Sequence, residues 1–253
     1  MKCTATVNEI YNIIDEFAPF SSQCEWDNSG LLVGDGMCET EKIGVVLDIT
    51  PEAVEEAASL GIGLIVSHHP IIFSPLKSIC TKSVPYMLAK NGICALCSHT
   101  PLDKAVGGVN DALAAVLGFN ARPLFSHGDE AMLRAFEIEE TDGEALARLV
   151  AERLNTAVSL VDSGKKIRRV AVCGGAGGDF IPDVISAGCD AYITGEVKHN
   201  HLLEAQADGL TLLQAGHFST ENPVVDALVS LLASKTKCEI VRLKQSAPDK
   251  TII

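Results

Sequence analysis

From Ile43 onward the sequence alternates between short apolar runs and amphipathic segments, and this alternation limits the chain to an α/β fold. Residues 44–47 predict a strand. Thr50 and Pro51 have the chemistry of an N-cap and a first helical residue for a helix over 52–60, which Gly61 ends. The next strand is 62–66, followed by a helix over 84–91, a strand over 93–97 and a helix over 108–117. Such alternation predicts a parallel sheet covered on both faces. Ahead of it, 6–17 is an amphipathic helix with Val7, Ile10, Ile14 and Phe17 on one face.

A second series follows. Strands at 168–173, 191–194 and 210–214 alternate with helices at 180–187 and 199–207, after a half-exposed strand at 132–138 and a helix at 143–154. The two series run in parallel: Gly61 through Ser67 and His68 matches Gly188 through Thr194 and Gly195. We read a weak internal repeat and two related α/β lobes. The first spans 1–125 plus 215–253 and carries most of the candidate ligands; the second, 126–214, closes a cleft over them. A Pro- and Gly-containing connection at 122–129 separates them.

With 253 residues, 47% of them hydrophobic and 21% charged, the chain is long enough for large cores. A net charge of -13 argues against nucleic acid or an anionic membrane as a partner. The uncharged run 57–76 contains His68, His69, Pro70 and Pro75, which rules out a membrane span. Residues 1–15 lack the apolar core of a signal peptide, so the expected location is cytoplasmic, with the nine cysteines reduced.

The chemistry gathers at strand ends, where open α/β sheets bind ligands. The 62–66 run stops at Ser67-His68-His69-Pro70. The 93–97 run leads to His99 and Asp103, and 210–214 leads to His217 and Glu221. Neighbouring side chains on an extended segment diverge, so His68 and His69 suit two ions a few ångströms apart better than one. Glu221 suits a bridge and Asp103 a terminal position. Imidazole with carboxylate suits zinc, manganese or iron. The segment around Thr220, Glu221 and Asn222 also fits a plain helix start.

Other residues keep two readings. His99 is a base or substrate contact, or a satisfied histidine. Glu196 sits at the strand end matching the His pair. His199 and His201 open a helix as exposed polar positions. The glycine-rich 174–179 segment is an anion cradle or a tight turn, and it lacks the lysine of a P-loop. Trp26, the only tryptophan, reads as a core anchor beside a turn. Cys94 and Cys97 lie three apart on one strand and point to opposite faces, which discounts a shared metal.

In order along the chain stand Glu25-Trp26-Asp27-Asn28-Ser29-Gly30-Leu31, Ser67-His68-His69-Pro70, His99-Thr100-Pro101-Leu102-Asp103, Gly107-Gly108-Val109-Asn110, Thr194-Gly195-Glu196 and Gly216-His217-Phe218-Ser219-Thr220-Glu221. This set resembles the NIF-three-like dinuclear metal-centre family, whose members are often labelled GTP cyclohydrolase 1 type 2 homologues. The resemblance implies two α/β lobes, the compact form without an inserted middle domain, and a homohexamer. It also implies two divalent metal ions per chain on His68, His69, Asp103, His217 and Glu221. Pro101 departs from it, standing where the family usually has asparagine. The expected function is hydrolysis of a nucleotide-like or phosphate-containing small molecule, with His99 and Glu196 as catalytic candidates. A metal-binding regulatory or scaffold protein without turnover is the alternative.

Overall fold

The computed structural model describes residues 4–124 and 132–248. These fall into two compact units, Met1–Ala105 with Val225–Ser246, and Val106–Val224 with Ala247–Ile253.

The first unit is built on a five-stranded sheet in the order Glu239–Arg242, Lys42–Val46, Leu64–Ser67, Cys94–Cys97 and Gly30–Val33. The first four strands are mutually parallel. The fifth, Gly30–Val33, is an antiparallel edge, so the sheet is mixed rather than wholly parallel. Leu64–Ser67 is buried along its whole length, as a central strand covered on both faces must be. Helix Pro51–Leu60 begins where its caps predict. The Thr50 side chain accepts from Ala53 N, and Gly61 adopts φ 69 at the C-terminus. Its Ala53, Val54 and Ala57 pack against Val46 and Ile65. Burying a valine of this kind stabilises by roughly 1.5–3 kcal/mol. Helix Val7–Phe17 starts in a capping box between Thr6 and Glu9 and buries Val7, Ile10 and Ile14.

The second unit carries a six-stranded sheet in the order Arg122–Leu124, Leu133–Thr141, Ile167–Cys173, Ala191–Thr194, Thr211–Gln214 and Ser159–Val161. Ile167–Cys173, Ala191–Thr194 and Thr211–Gln214 run parallel, Leu133–Thr141 and Ser159–Val161 pair antiparallel on either side of them, and Arg122–Leu124 pairs antiparallel with Leu133–Thr141. Alternate residues face two cores. Val170 and Val172 pack beneath helices Val109–Leu117 and Gly143–Leu154. Ala171 and Cys173 pack beneath Ile181–Ser186 and His199–Asp208.

The expected break at 125/126 lies outside the described residues, as do 125–129 of the expected connection; its first part, Arg122–Leu124, is an edge strand. The units divide instead after Ala105 and after Val224. Packing explains this: Leu113 and Leu117 share a core with Phe136, Leu146 and Val150. His217 and Glu221 thus belong to the second unit. Among the described residues, no helix is long and apolar enough to cross a membrane.

Candidate metal centre

In the first unit the parallel strands Leu64–Ser67 and Cys94–Cys97 end side by side, with Ser67 opposite Cys97. The chain then turns: His68 N and His69 N both donate to Leu47 O, at 3.2 and 3.1 Å. Two imidazoles are thereby presented at one strand end. His99 joins them from the neighbouring strand. The ligand nitrogens of His68, His69 and His99 all lie within 4.8 Å of one another.

Each ring is held through Nδ1. His68, fully buried, has Nδ1 3.0 Å from Ser98 O. His69 Nδ1 lies 2.6 Å from Asp48 Oδ1, and Gln245 Nε2 donates to the other Asp48 oxygen at 2.6 Å. His99 Nδ1 lies 2.9 Å from Asp27 Oδ1. A histidine whose Nδ1–H is donated to a carbonyl or carboxylate has its lone pair on Nε2, the arrangement common to metal-ligating histidines. Asp103 Oδ1 is 3.6 Å from His68 Nε2. That is too long for a hydrogen bond and about the spacing of two donors sharing one ion at roughly 2.0–2.2 Å. The donor set of this unit therefore fits a divalent cation.

Asp27 is the buried centre of the adjoining loop. Its carboxylate accepts from Thr100 N at 3.0 Å, Thr100 Oγ1 at 2.6 Å and Ser29 Oγ at 2.9 Å, besides His99. Burial alone would raise its pKa. The hydrogen bonds from His99, Thr100 and Ser29, with the His99 charge, outweigh burial and hold it well below the ordinary carboxylate range. Burial pushes the Cys97 thiol up. It stays neutral, donating to His68 O at 3.1 Å, and is no thiolate ligand.

Asp103 stands in the short helix Thr100–Lys104, with His99 at its N-cap. Pro101 fits there because the first helical turn needs no donor from its nitrogen.

The second unit brings together His217, Glu221 and Glu196. His217 and Glu221 lie one turn apart on helix His217–Glu221, with Nε2 3.1 Å from the Glu221 carboxylate; His217 Nδ1 lies 3.1 Å from Glu196 Oε1. The glycine-rich segment makes room for them. Gly175 has φ +66, and a Cβ there would collide with the Glu221 carboxylate. Three of its amides are already taken: Gly174 N donates to Asn110 Oδ1, Gly175 N to Thr220 Oγ1 and Gly177 N to Thr194 Oγ1. This favours the turn over the anion cradle. His199 is exposed as expected, but the His201 ring is tucked against Gly178 with only 12% exposure.

Sequence reasoning missed Asp27, Asp48 and Gln245. Asp48 had a signal, since it too follows a strand, Lys42–Val46. Trp26 is no core anchor; it is 58% exposed.

Comparison with known proteins agrees with the fold. A Campylobacter jejuni protein named GTP cyclohydrolase 1 type 2 homolog is 35% identical over 223 residues, covering 85% of this chain and 87% of its own. One of the same name from Clostridium perfringens is 31% identical over 230 residues, covering 87% and 88%. The crystal structure of Staphylococcus aureus hypothetical protein SA1388 has a TM-score of 0.92 at 26% identity, covering 98% of this chain and 99% of that one. Reduced HcgD from Methanocaldococcus jannaschii has a TM-score of 0.84 at 28% identity, covering 97% and 100%. The family model Duf34/NIF3 (NGG1p interacting factor 3) matches residues 5–248. The chain therefore belongs to the Duf34/NIF3 family.

Proposed function

We propose that this chain is a metal-dependent hydrolase acting on a nucleotide-like or phosphate-containing small molecule. The ligand set that the family resemblance implies, His68, His69, Asp103, His217 and Glu221, would hold two divalent ions, with zinc, manganese or iron suited to the donors. The observation that carries this reading is the repeated Nδ1 arrangement. His68, His69 and His217 each have that nitrogen against a carbonyl or carboxylate. The names of the curated relatives support hydrolytic chemistry on a nucleotide.

When bound, the ions supply Lewis acidity and a water acidified toward neutral pH. The chain's own residues do the rest. The Ser98 carbonyl and Asp48 keep the His68 and His69 rings turned to one side. Asp27 fixes His99 through Nδ1, leaving Nε2 to take a proton from, or return one to, the reacting molecule. Glu196 orients His217 through its Nδ1. Asp103 and Glu221 offset the charge of the ions. The protein works in the cytoplasm as a homohexamer, the assembly the family resemblance implies.

Elemental analysis after reloading should approach two ions per chain, and the loaded protein should hydrolyse a member of a nucleotide and phosphodiester panel. Metal content near zero would end the reading. Full loading with no turnover, and an assembly that collapses on chelation, would favour the scaffold alternative. Light scattering should give six chains of 26.8 kDa.

A further inference from the structure

Trp26 and Phe73 are 58% and 53% exposed, yet they stand beside the histidine cluster of the first unit. Their ring centroids are 5.8 Å apart. His99 presents an edge to both, at 5.7 Å from Trp26 and 6.3 Å from Phe73. The His99 ring is in turn 5.2 Å from His68 and 5.6 Å from His69. A series of rings thus leads from solvent to the candidate ligands.

The pair is built rather than merely left outside. Trp26 is followed by Asp27, whose buried carboxylate fastens the loop to His99 and Thr100. Phe73 is preceded by Ile72, whose carbonyl accepts from Asn28 Nδ2 at 2.6 Å and ties the two loops together. The connection that carries Phe73, 68–83, has neither helix nor strand, and 73–82 are exposed throughout. A long irregular connection with exposed aromatic side chains beside a polar cluster is the usual setting of a binding loop. The platform is bordered by His99, which is itself in ring contact with His69. The same connection also exposes Leu76 and Ile79, but they lie beyond the aromatic pair in sequence and no ring contact links them to His99. A flat ring with polar groups at its edge fits both parts of the surface.

We propose that Trp26 and Phe73 are the stacking platform for a planar heteroaromatic ring of the substrate, set so that the groups at the ring's edge meet His99. The link to catalysis rests on the metal-dependent reading of the neighbouring His68 and His69; ring binding itself does not. Aromatic side chains accept the π-face of a heteroaromatic ring with little regard to its substituents, so the platform selects the ring class.

Trp26 is the only tryptophan, so fluorescence excited selectively at tryptophan, beyond the absorption of the three tyrosines, reports this position alone. The full chain, metal-loaded and chelated, is titrated with adenosine 5′-monophosphate, adenosine and ribose 5-phosphate. The expected result is saturable quenching by both adenosine compounds and none by ribose 5-phosphate. Phe73→Ala and Phe73→Leu should each weaken the apparent affinity about tenfold, within the range for stacking of a base on an aromatic side chain. The leucine variant keeps apolar bulk, so retained affinity there would overturn stacking. So would absence of saturable quenching up to millimolar nucleotide, or equal quenching by ribose 5-phosphate. Trp26 shielded from iodide in the native assembly would overturn it too, by making the patch an interface between copies. Metal content measured on the same samples separates the two readings. Ring binding without metal uptake keeps the platform and removes the metal centre. Metal uptake without quenching removes the platform alone.

Discussion

The two strand ends that begin the candidate site share a backbone and differ in chemistry. In the first unit, His68 N and His69 N donate to Leu47 O. In the second, Gly195 N and Glu196 N donate to Gly175 O, at 2.9 and 3.0 Å. Each follows a fully buried parallel strand, Leu64–Ser67 or Ala191–Thr194. The preceding helical segments close on Gly61 at φ 69 and Gly188 at φ 68. One turn therefore serves two purposes. Where the first unit places an imidazole, His68, the second places no side chain at all. A Cβ at Gly195 would lie 2.5 Å from Gly175 O and 2.8 Å from His217 Cα. The second unit has no side chain at its strand end, which lets helix His217–Glu221, with its candidate ligands, sit against it.

If the first unit carries the essential chemistry, Asp103→Ala should have the largest effect. Loss of a ligand from a two-metal site should lower turnover on the order of a thousandfold, about 4 kcal/mol, with the fold retained. Equal rates for native and variant protein on the substrate found by panel screening would break this half of the comparison. The second unit's glycine is tested by Gly195→Ala. The added methyl meets backbone on two sides and cannot be relieved by a rotamer change, so chemical denaturation should show a loss of about 3 kcal/mol. A variant as stable as the parent would mean that the strand end and the short helix are not in close packing.

The remaining two changes compare like with like, since Asp48 and Glu196 each face a histidine Nδ1. Asp48→Asn should weaken metal binding by about 10–100-fold, the usual cost of removing a carboxylate that orients a ligating histidine. Glu196→Gln should cost less than about threefold, because the Glu196 side chain is 61% exposed and water substitutes for it. Competition with a chromophoric chelator reads both. Equal losses would make the two strand ends equivalent in function.

What the sequence made legible was local. Helix Gly143–Leu154 lies where its periodicity predicts, and helix Pro51–Leu60 where Thr50, Pro51 and Gly61 set its ends. The edge strands Gly30–Val33, Arg122–Leu124 and Ser159–Val161 were not, because strands of three or four residues are defined by their partners rather than by their own pattern. The candidate ligands were legible as strand-end residues; their supports were not. Asp27 reaches His99 across 72 residues, and Gln245 reaches Asp48 across 197. Asp27 looked like turn chemistry, and so it is, but the turn is folded around a carboxylate that the histidine needs. Trp26 was misread for a related reason: a large apolar residue is expected inside, and only the surrounding hydrogen bonds explain its holding a place outside.

The first unit is discontinuous, since its sheet takes Glu239–Arg242 as a strand beside Lys42–Val46 after the block 106–224 has intervened. That order matters while the chain is being made. Synthesis runs from the N-terminus, so the block 106–224 is made while the first unit still lacks an edge strand and Gln245. Until those residues leave the ribosome, Asp48 has no amide from Gln245 to steady it, and the orientation of His69 is incomplete. The support of His69 is therefore completed only after the intervening block 106–224 has been made.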